Sequence, residues 1–182
     1  SGSTASDQAV PAAAADGVAN SETVQTVNFS DLEMWHDAIF LATGLGDTNK
    51  LNIPGEELVG VYDALNFIEK IKTRDWLSVP LGKTVVVIGA GNTAIDAVTQ
   101  AKRLGADRVT LVYRRTEKDA PAYEYEMELA RKDGIEFRWQ TSPVEIIGET
   151  RVTGMRISDT DGSISDIACD QVIKAIGQTK MT

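Results

Sequence analysis

The longest unbroken hydrophobic pattern in the chain runs from Lys83 to Arg115. It opens with Thr84 to Ile88, whose last four residues are all β-branched and apolar, with no polar alternation. That is the pattern of a strand buried on both faces of a parallel sheet. From Asn92 to Leu104 the apolar positions switch to helical spacing, through Ala94, Ile95, Ala97, Val98, Ala101 and Leu104, and Gly105 stands where a left-handed C-cap belongs. A second β-branched run, Val109 to Tyr113, completes a βαβ unit.

The flanking stretches extend the same alternation. Structure is expected from Thr26 onward. Ser30-Asp31-Leu32-Glu33 has the form of a capping box, so a helical turn is predicted there, leading into a strand over Asp37 to Ala42. Asp63 can cap a helix reaching about Lys72, with Ala64, Leu65, Phe67, Ile68 and Ile71 on one face. Beyond the central unit, Pro121 is expected in the first turn of a helix that runs to about Lys132 and stops at Gly134. Ile135 to Gln140 reads as a third strand, apolar at alternate positions, so that Trp139 packs inward. The pattern then shortens. Val144 to Ile147, Val152 to Ser158 and Ile164 to Ala168 are brief strands, with Asp161-Gly162 at the second turn, and form a β-meander. A last run, Gln171 to Ile176, ends at Gly177. The predicted fold is α/β: a Rossmann-like parallel sheet flanked by helices, with an antiparallel β-meander layer on one face. Ligands of such sheets lie at the carboxyl ends of the parallel strands.

Composition narrows the partners. The 182 residues suit one domain with appendages. Residues 1–25 lack any sustained period and read as a disordered arm or non-native remnant, leaving 26–182 as the domain. A net charge of −9 argues against nucleic acid or an anionic membrane as partner, so any cationic site must be local. The amino terminus has no basic segment of the kind a signal peptide needs. The single cysteine, Cys169, cannot form an internal disulfide, a zinc or iron–sulfur cluster, or a C-x-x-C pair, which points to a reducing, cytoplasmic setting.

The chemistry concentrates at the first turn and the second strand end. Gly89-Ala90-Gly91-Asn92-Thr93-Ala94 gives G-x-G-x-x-A between a buried strand and a helix. In that pattern the first glycine allows a tight turn, the second admits a pyrophosphate to the backbone, and the small Ala94 lets helix and strand approach. The alternative is a doubly wound sheet whose first turn is merely glycine-rich. At the end of the second strand, NAD or FAD sites carry an acidic ribose ligand, but Tyr113, Arg114 and Arg115 stand here. Guanidinium forks match phosphate oxygens, which favours the 2′-phosphate of NADP, with Lys118 as a third charge. Arginines that simply solvate a loop remain the alternative. Gly44 and Gly46 form a decoy, since the polar residues after them meet Pro54 and offer no helix N-terminus. His36, the only histidine, has no partner nearby in sequence and reads as structural.

Taken together, GKTVVVIGAGNTAIDAV, VTLVYRRTEKDAPA, DQVIKAIGQT, DAIFLATG and IPGEEL resemble the NADPH-binding domain of the FAD-dependent pyridine nucleotide oxidoreductase family that contains the glutamate synthase small subunit and the N-terminal part of dihydropyrimidine dehydrogenase. The resemblance covers most of the chain from about Asp37. It implies a domain inserted into an FAD domain, with 37–46 and 171–178 as the junctions, and Ala42-Thr43-Gly44 and Ala175-Ile176-Gly177 as the two crossings. It implies further that pyrophosphate lies over Gly89 to Ala94, that Arg114 and Arg115 hold the 2′-phosphate, and that the nicotinamide lies near Ala175, Ile176 and Gly177 for hydride transfer to FAD. The implied partners are that FAD domain and an iron–sulfur domain or large subunit, and the chain reads as an excised NADPH module, inactive alone. Asp119 departs from the pattern by setting a negative charge near the phosphate site, against a role for Lys118. Two other classes compete: a stand-alone NADP(H)-sensing domain, and an S-adenosylmethionine-dependent transferase, against which the arginine pair stands.

Overall fold

The structure, a computed structural model, describes residues 27–40, 48–73 and 79–178. The chain divides into two units, 1–43 and 44–182. In the first, helix α1 spans Phe29–Trp35. Its N-cap is Asn28, with no side-chain cap bond, so the expected Ser30–Glu33 capping box is not formed. Ser30 lies inside the helix, one residue past its start. The strand expected over Asp37 to Ala42 is not present at 37–40, and its last two residues lie outside the described ones, as do Gly44 and Gly46. His36 is the exposed C-cap of α1.

The second unit is built on a five-stranded sheet and a three-stranded one. In chain order the elements are β1 (Val61–Asp63), α2 (Ala64–Thr73), β2 (Thr84–Ile88), α3 (Asn92–Arg103), β3 (Arg108–Val112), α4 (Glu124–Lys132), β4 (Glu136–Arg138), β5 (Thr141–Gly148), β6 (Val152–Asp159), β7 (Ile164–Ala168) and β8 (Gln171–Lys174). The larger sheet has the order β1-β8-β2-β3-β4 with all neighbours parallel, and β5-β6-β7 form the antiparallel meander. The last strand in sequence thus enters the middle of the parallel sheet, between the first two.

The apolar runs of β2, β3 and β8 have a cause in this layering. Side chains alternate across a strand, so a strand covered on both sides must be apolar at every position. Val85, Val87, Val109, Leu111 and Ile173 face one core, shared with Phe67 and Ile71 of α2, Ala94, Val98 and Ala101 of α3, and Met127 and Ala130 of α4. Val86, Ile88, Val112 and Val172 face the other, closed by Ile146, Val152, Met155, Ile157 and Cys169. Helices cover one face and the meander covers the other. Burying side chains of this size contributes roughly 1.5–3 kcal/mol each.

Several boundaries differ from the expected ones. Strand β1 carries no sequence signal of its own, being three residues long and only half-buried. Pro121 precedes α4 instead of sitting in its first turn. The N–H of Ala122 donates to Ala90 O and that of Tyr123 to Asn92 Oδ1, which holds this segment extended against the glycine turn. Strand β4 stops at Arg138 because Gln140 takes a left-handed φ of 56°. Trp139 is half-buried against Phe137 and Tyr113, as expected. Asp96 falls beyond the first turn of α3, which contains no acidic residue.

Two predictions follow from the packing. Gly89 has φ 127°, and a Cβ there would stand 2.2 Å from Ala175 O, whereas Gly105, with φ 111°, faces open space. Gly105→Ala should therefore cost about 1–3 kcal/mol of backbone strain. Gly89→Ala should cost that and roughly 1–3 kcal/mol more for overlap, read as a larger fall in urea midpoint. Cys169 is 4% exposed. Its thiol is pushed up to about 12 by burial, with Asp170 adding and Arg108 opposing. Native protein should leave it unmodified by a thiol-reactive dye at pH 8, and urea should expose it.

Candidate functional site

The carboxyl ends of β2, β3 and β8 are in register: Ile88 pairs with Val112 on one side and Lys174 on the other. The residues after them, Gly89, Tyr113 and Ala175, are thereby set in a row. Gly89 N donates to Val112 O, and Ala175 N to Ile88 O. These ends open into a cavity of about 700 Å3. Its walls include Gly89, Ala90, Gly91 and Thr93 from the turn and α3, Arg114 and Arg115 after β3, and Lys174, Ala175, Ile176 and Gly177 at the end of β8. Asn92, Ala94 and Lys118 do not line it. Asn92 instead accepts the Tyr123 N–H, and Ala94 is fully buried where α3 meets the sheet.

The two glycines of the turn are there for different reasons. A side chain at Gly89 would collide with Ala175 O, so this glycine is demanded by the fold. Gly91, the N-cap of α3, has an extended φ of −83° that any residue could adopt. A Cβ on it would meet nothing closer than Pro121 Cγ at 3.9 Å. Internal packing therefore gives no reason for a glycine at 91. The space it leaves adjoins the uncapped start of α3, where backbone N–H groups lack intrahelical acceptors and the helix dipole presents positive charge.

Arg114 and Arg115 are both exposed at the cavity wall. Asp119 sets its negative charge close to Arg115. Its carboxylate accepts the Thr116 hydroxyl at 2.6 Å and the Thr116 N–H at 3.2 Å. Those bonds, the hydroxyl first, hold its pKa below the ordinary value, and the charge of Arg115 adds to the effect.

Lys174 is a charged lining residue that sequence reasoning missed. Its ammonium lies 2.9 Å from Glu56 Oε1 and 3.2 Å from Asp63 Oδ1, with only 12% of the side chain exposed. Burial works to raise the Glu56 pKa, but the N–H groups of Leu51 and Asn52 and the Lys174 ammonium outweigh it and hold the carboxyl below its ordinary value. Burial likewise works to lower the Lys174 pKa, and the two carboxylates reverse the sign. The group ties the 50–58 loop to the end of β8. A signal existed in Ile173-Lys174-Ala175, a lysine closing a buried strand, but its partners are more than 100 residues away in sequence.

The stretches before and after these elements meet. Thr48 and Gln178 form an antiparallel bridge, and Asn49 N donates to Gly177 O at 2.9 Å. Among the described residues, no cluster of three or more His, Cys, Asp or Glu could hold a metal ion, and no helix is long and apolar enough to cross a membrane.

Residues 9–182 match the model of the pyridine nucleotide-disulphide oxidoreductase family. The glutamate synthase [NADPH] small chain of Azospirillum brasilense is 32% identical over 184 residues, covering 87% of this chain and 38% of that protein. The corresponding small chain of Escherichia coli is 37% identical over 153 residues, covering 78% and 32%. The chain thus spans about a third of the length of these relatives. Among solved structures, Mycobacterium tuberculosis FprA in complex with NADPH aligns with a TM-score of 0.64 at 21% identity, over 86% of this chain and 53% of FprA, a likeness of fold. With an α/β fold shared with pyridine nucleotide oxidoreductases and a family match over nearly its whole length, the chain belongs to the pyridine nucleotide-disulphide oxidoreductase family.

Proposed function

We propose that this chain is the NADPH-binding module of a flavin-dependent oxidoreductase, holding the nicotinamide for hydride transfer to FAD in a neighbouring domain. The observation that carries the reading is the unfilled space over Gly91, between the uncapped start of α3 and the exposed Arg114 and Arg115. A dinucleotide fits this chemistry. The α3 N-terminus and the Gly91 backbone would take the pyrophosphate, and Arg114 and Arg115 the 2′-phosphate. Thr93, on the cavity wall, would add a hydroxyl. The strand-end residues Ala175, Ile176 and Gly177 would bound the nicotinamide. Asn92 and Ala94 would act by shaping the turn, and Lys118 through its charge at longer range.

When bound, NADPH supplies a hydride and the flavin accepts it; the protein's part is to orient them and exclude water. No side chain need move a proton in that step, and we assign none as catalyst. The antiparallel bridge of Thr48 with Gln178 supports an inserted domain, because it brings the chain in and out at one place. The FAD domain is the partner this implies. The name "small chain" carried by both glutamate synthase relatives supports a large subunit beyond it.

Titration calorimetry with NADPH and NADH tests the site. Charged hydrogen bonds contribute about 1.5–3 kcal/mol, so the native chain should prefer NADPH by roughly tenfold or more, and Arg114→Ala should lose most of that preference. Gly91→Val should abolish binding of both nucleotides while changing folding stability by no more than about 1 kcal/mol. Equal affinity for NADH, or a Gly91→Val protein that still binds, would overturn the reading. The chain alone should show no steady NADPH oxidation with a dye acceptor in the absence of added flavin, and a sustained rate would refute its role as a module dependent on a flavin partner.

A further inference from the structure

The loop that carries the two arginines is held by more contacts than an exposed loop requires. Tyr113 N donates to Arg138 O and Thr141 N to Tyr113 O, which continues the strand pairing one residue past β3. Gln140 N then donates to Arg115 O at 2.9 Å, a direct hold on the backbone of the second arginine. To make that bond Gln140 adopts φ 56°, a left-handed conformation costing a non-glycine residue roughly what one or two hydrogen bonds return. On the other side, the Tyr113 hydroxyl donates to Asp119 O at 3.1 Å and closes the loop on itself.

Behind these two clasps lies an apolar brace. The Tyr113 ring meets Trp139 edge to face at 6.1 Å, and Trp139 stacks on Phe137 at 5.2 Å. The Arg131 guanidinium lies over Phe137 at 5.1 Å and also pairs with Glu117 of the same loop. The contacts therefore form a ring: Tyr113, Trp139, Phe137, Arg131, Glu117 and back through Asp119 O. Arg114 and Arg115 are carried on its rim. Of the ring residues only Tyr113 touches the cavity.

We propose that Gln140 and Tyr113 are positioning residues that set the preference for a 2′-phosphorylated nucleotide, by holding Arg114 and Arg115 in the geometry that receives the phosphate. The physical ground is preorganisation. A bidentate guanidinium contact is worth its full value only where the side chain's anchor is already fixed, and a loop free to move would lose ordering entropy on binding. A nucleotide without the 2′-phosphate gains nothing from that order, so the clasps act on one ligand and not on the other. The inference rests on the NADPH reading above.

The test is the ratio of NADPH to NADH dissociation constants in Tyr113→Phe, Gln140→Val and Gln140→Gly, each also combined with Arg114→Ala and Arg115→Ala together. Tyr113→Phe removes only the hydroxyl and should weaken NADPH about threefold to tenfold, leaving NADH within about twofold. Gln140→Val places a β-branched residue at positive φ and should do the same, while Gln140→Gly, at ease there, should keep close to native preference. In the Arg114→Ala/Arg115→Ala background Tyr113→Phe should have little further effect on the ratio, because the groups it positions are gone. Equal losses for both nucleotides, an unchanged ratio, or the same loss with and without the two arginines would overturn the proposal. Should Gln140→Val fail to fold, the Tyr113→Phe cycle decides alone. Failure of the native chain to bind NADPH at all would sink the underlying reading instead, so the two failures are distinguishable.

Discussion

The register of β8, β2 and β3 is the constraint on which the rest of the second unit depends. With Val86 opposite Val172 and Thr110 within the buried middle of the sheet, these strands end together. A one-residue slip would turn every apolar side chain to the wrong core. Because they end together, Gly89 and Ala175 are forced into contact, and Ala175 O occupies the volume that a Gly89 side chain would need. The cavity is the space left beyond that contact. Its shape is therefore inherited from the two cores, whose members Ala64, Ala90, Ile88 and Val112 line its floor.

The meander and the 50–58 loop secure that register from one side. Ile146 N donates to Pro54 O, and a Cβ on Gly55 would stand 2.0 Å from Ile146 O, so loop and β5 lie backbone to backbone. The same loop presents Glu56 to Lys174. A half-buried ammonium between two carboxylates gains little net stability, since the desolvation of the charges offsets their attraction. What it does supply is direction: β8 ends with its last side chain fixed, and the return segment starts from a defined point.

Electrostatics on this acidic chain are correspondingly local. Two cations of this region are engaged by carboxylates: Lys174 by Glu56 and Asp63, and Arg131 by Glu117. Asp119 is held in its charged form by Thr116 and lies close enough to Arg115 for the two charges to act on each other. The exposed guanidinium groups beside the cavity thus stand in a chain of net charge −9, with Asp119 acting on Arg115. Sign and placement together make this the part of the described surface suited to an anion.

The central βαβ unit, the meander and the last strand were legible in the sequence, because each pairs a burial period with a glycine or turn signal close by. The two-sided cores forced apolar residues at every position of Val85 to Ile88, and such a run has few readings. The glycine turn was legible for the same reason. Local patterns were misleading where a distant group took over a backbone donor: Pro121 does not start α4, since Ala122 is bound to Ala90 O, and Gln140 does not continue β4, since its N–H reaches Arg115 O. At α1 the capping pattern was simply offset from the true helix start. Sequence by itself determined that the β2 and β3 runs are buried and which turn carries the two glycines, because those follow from period and side-chain size. Only the tertiary structure decided why each glycine is there and that Lys174 meets Glu56 and Asp63. Such facts depend on the distance between atoms far apart along the chain, and no local pattern encodes a distance.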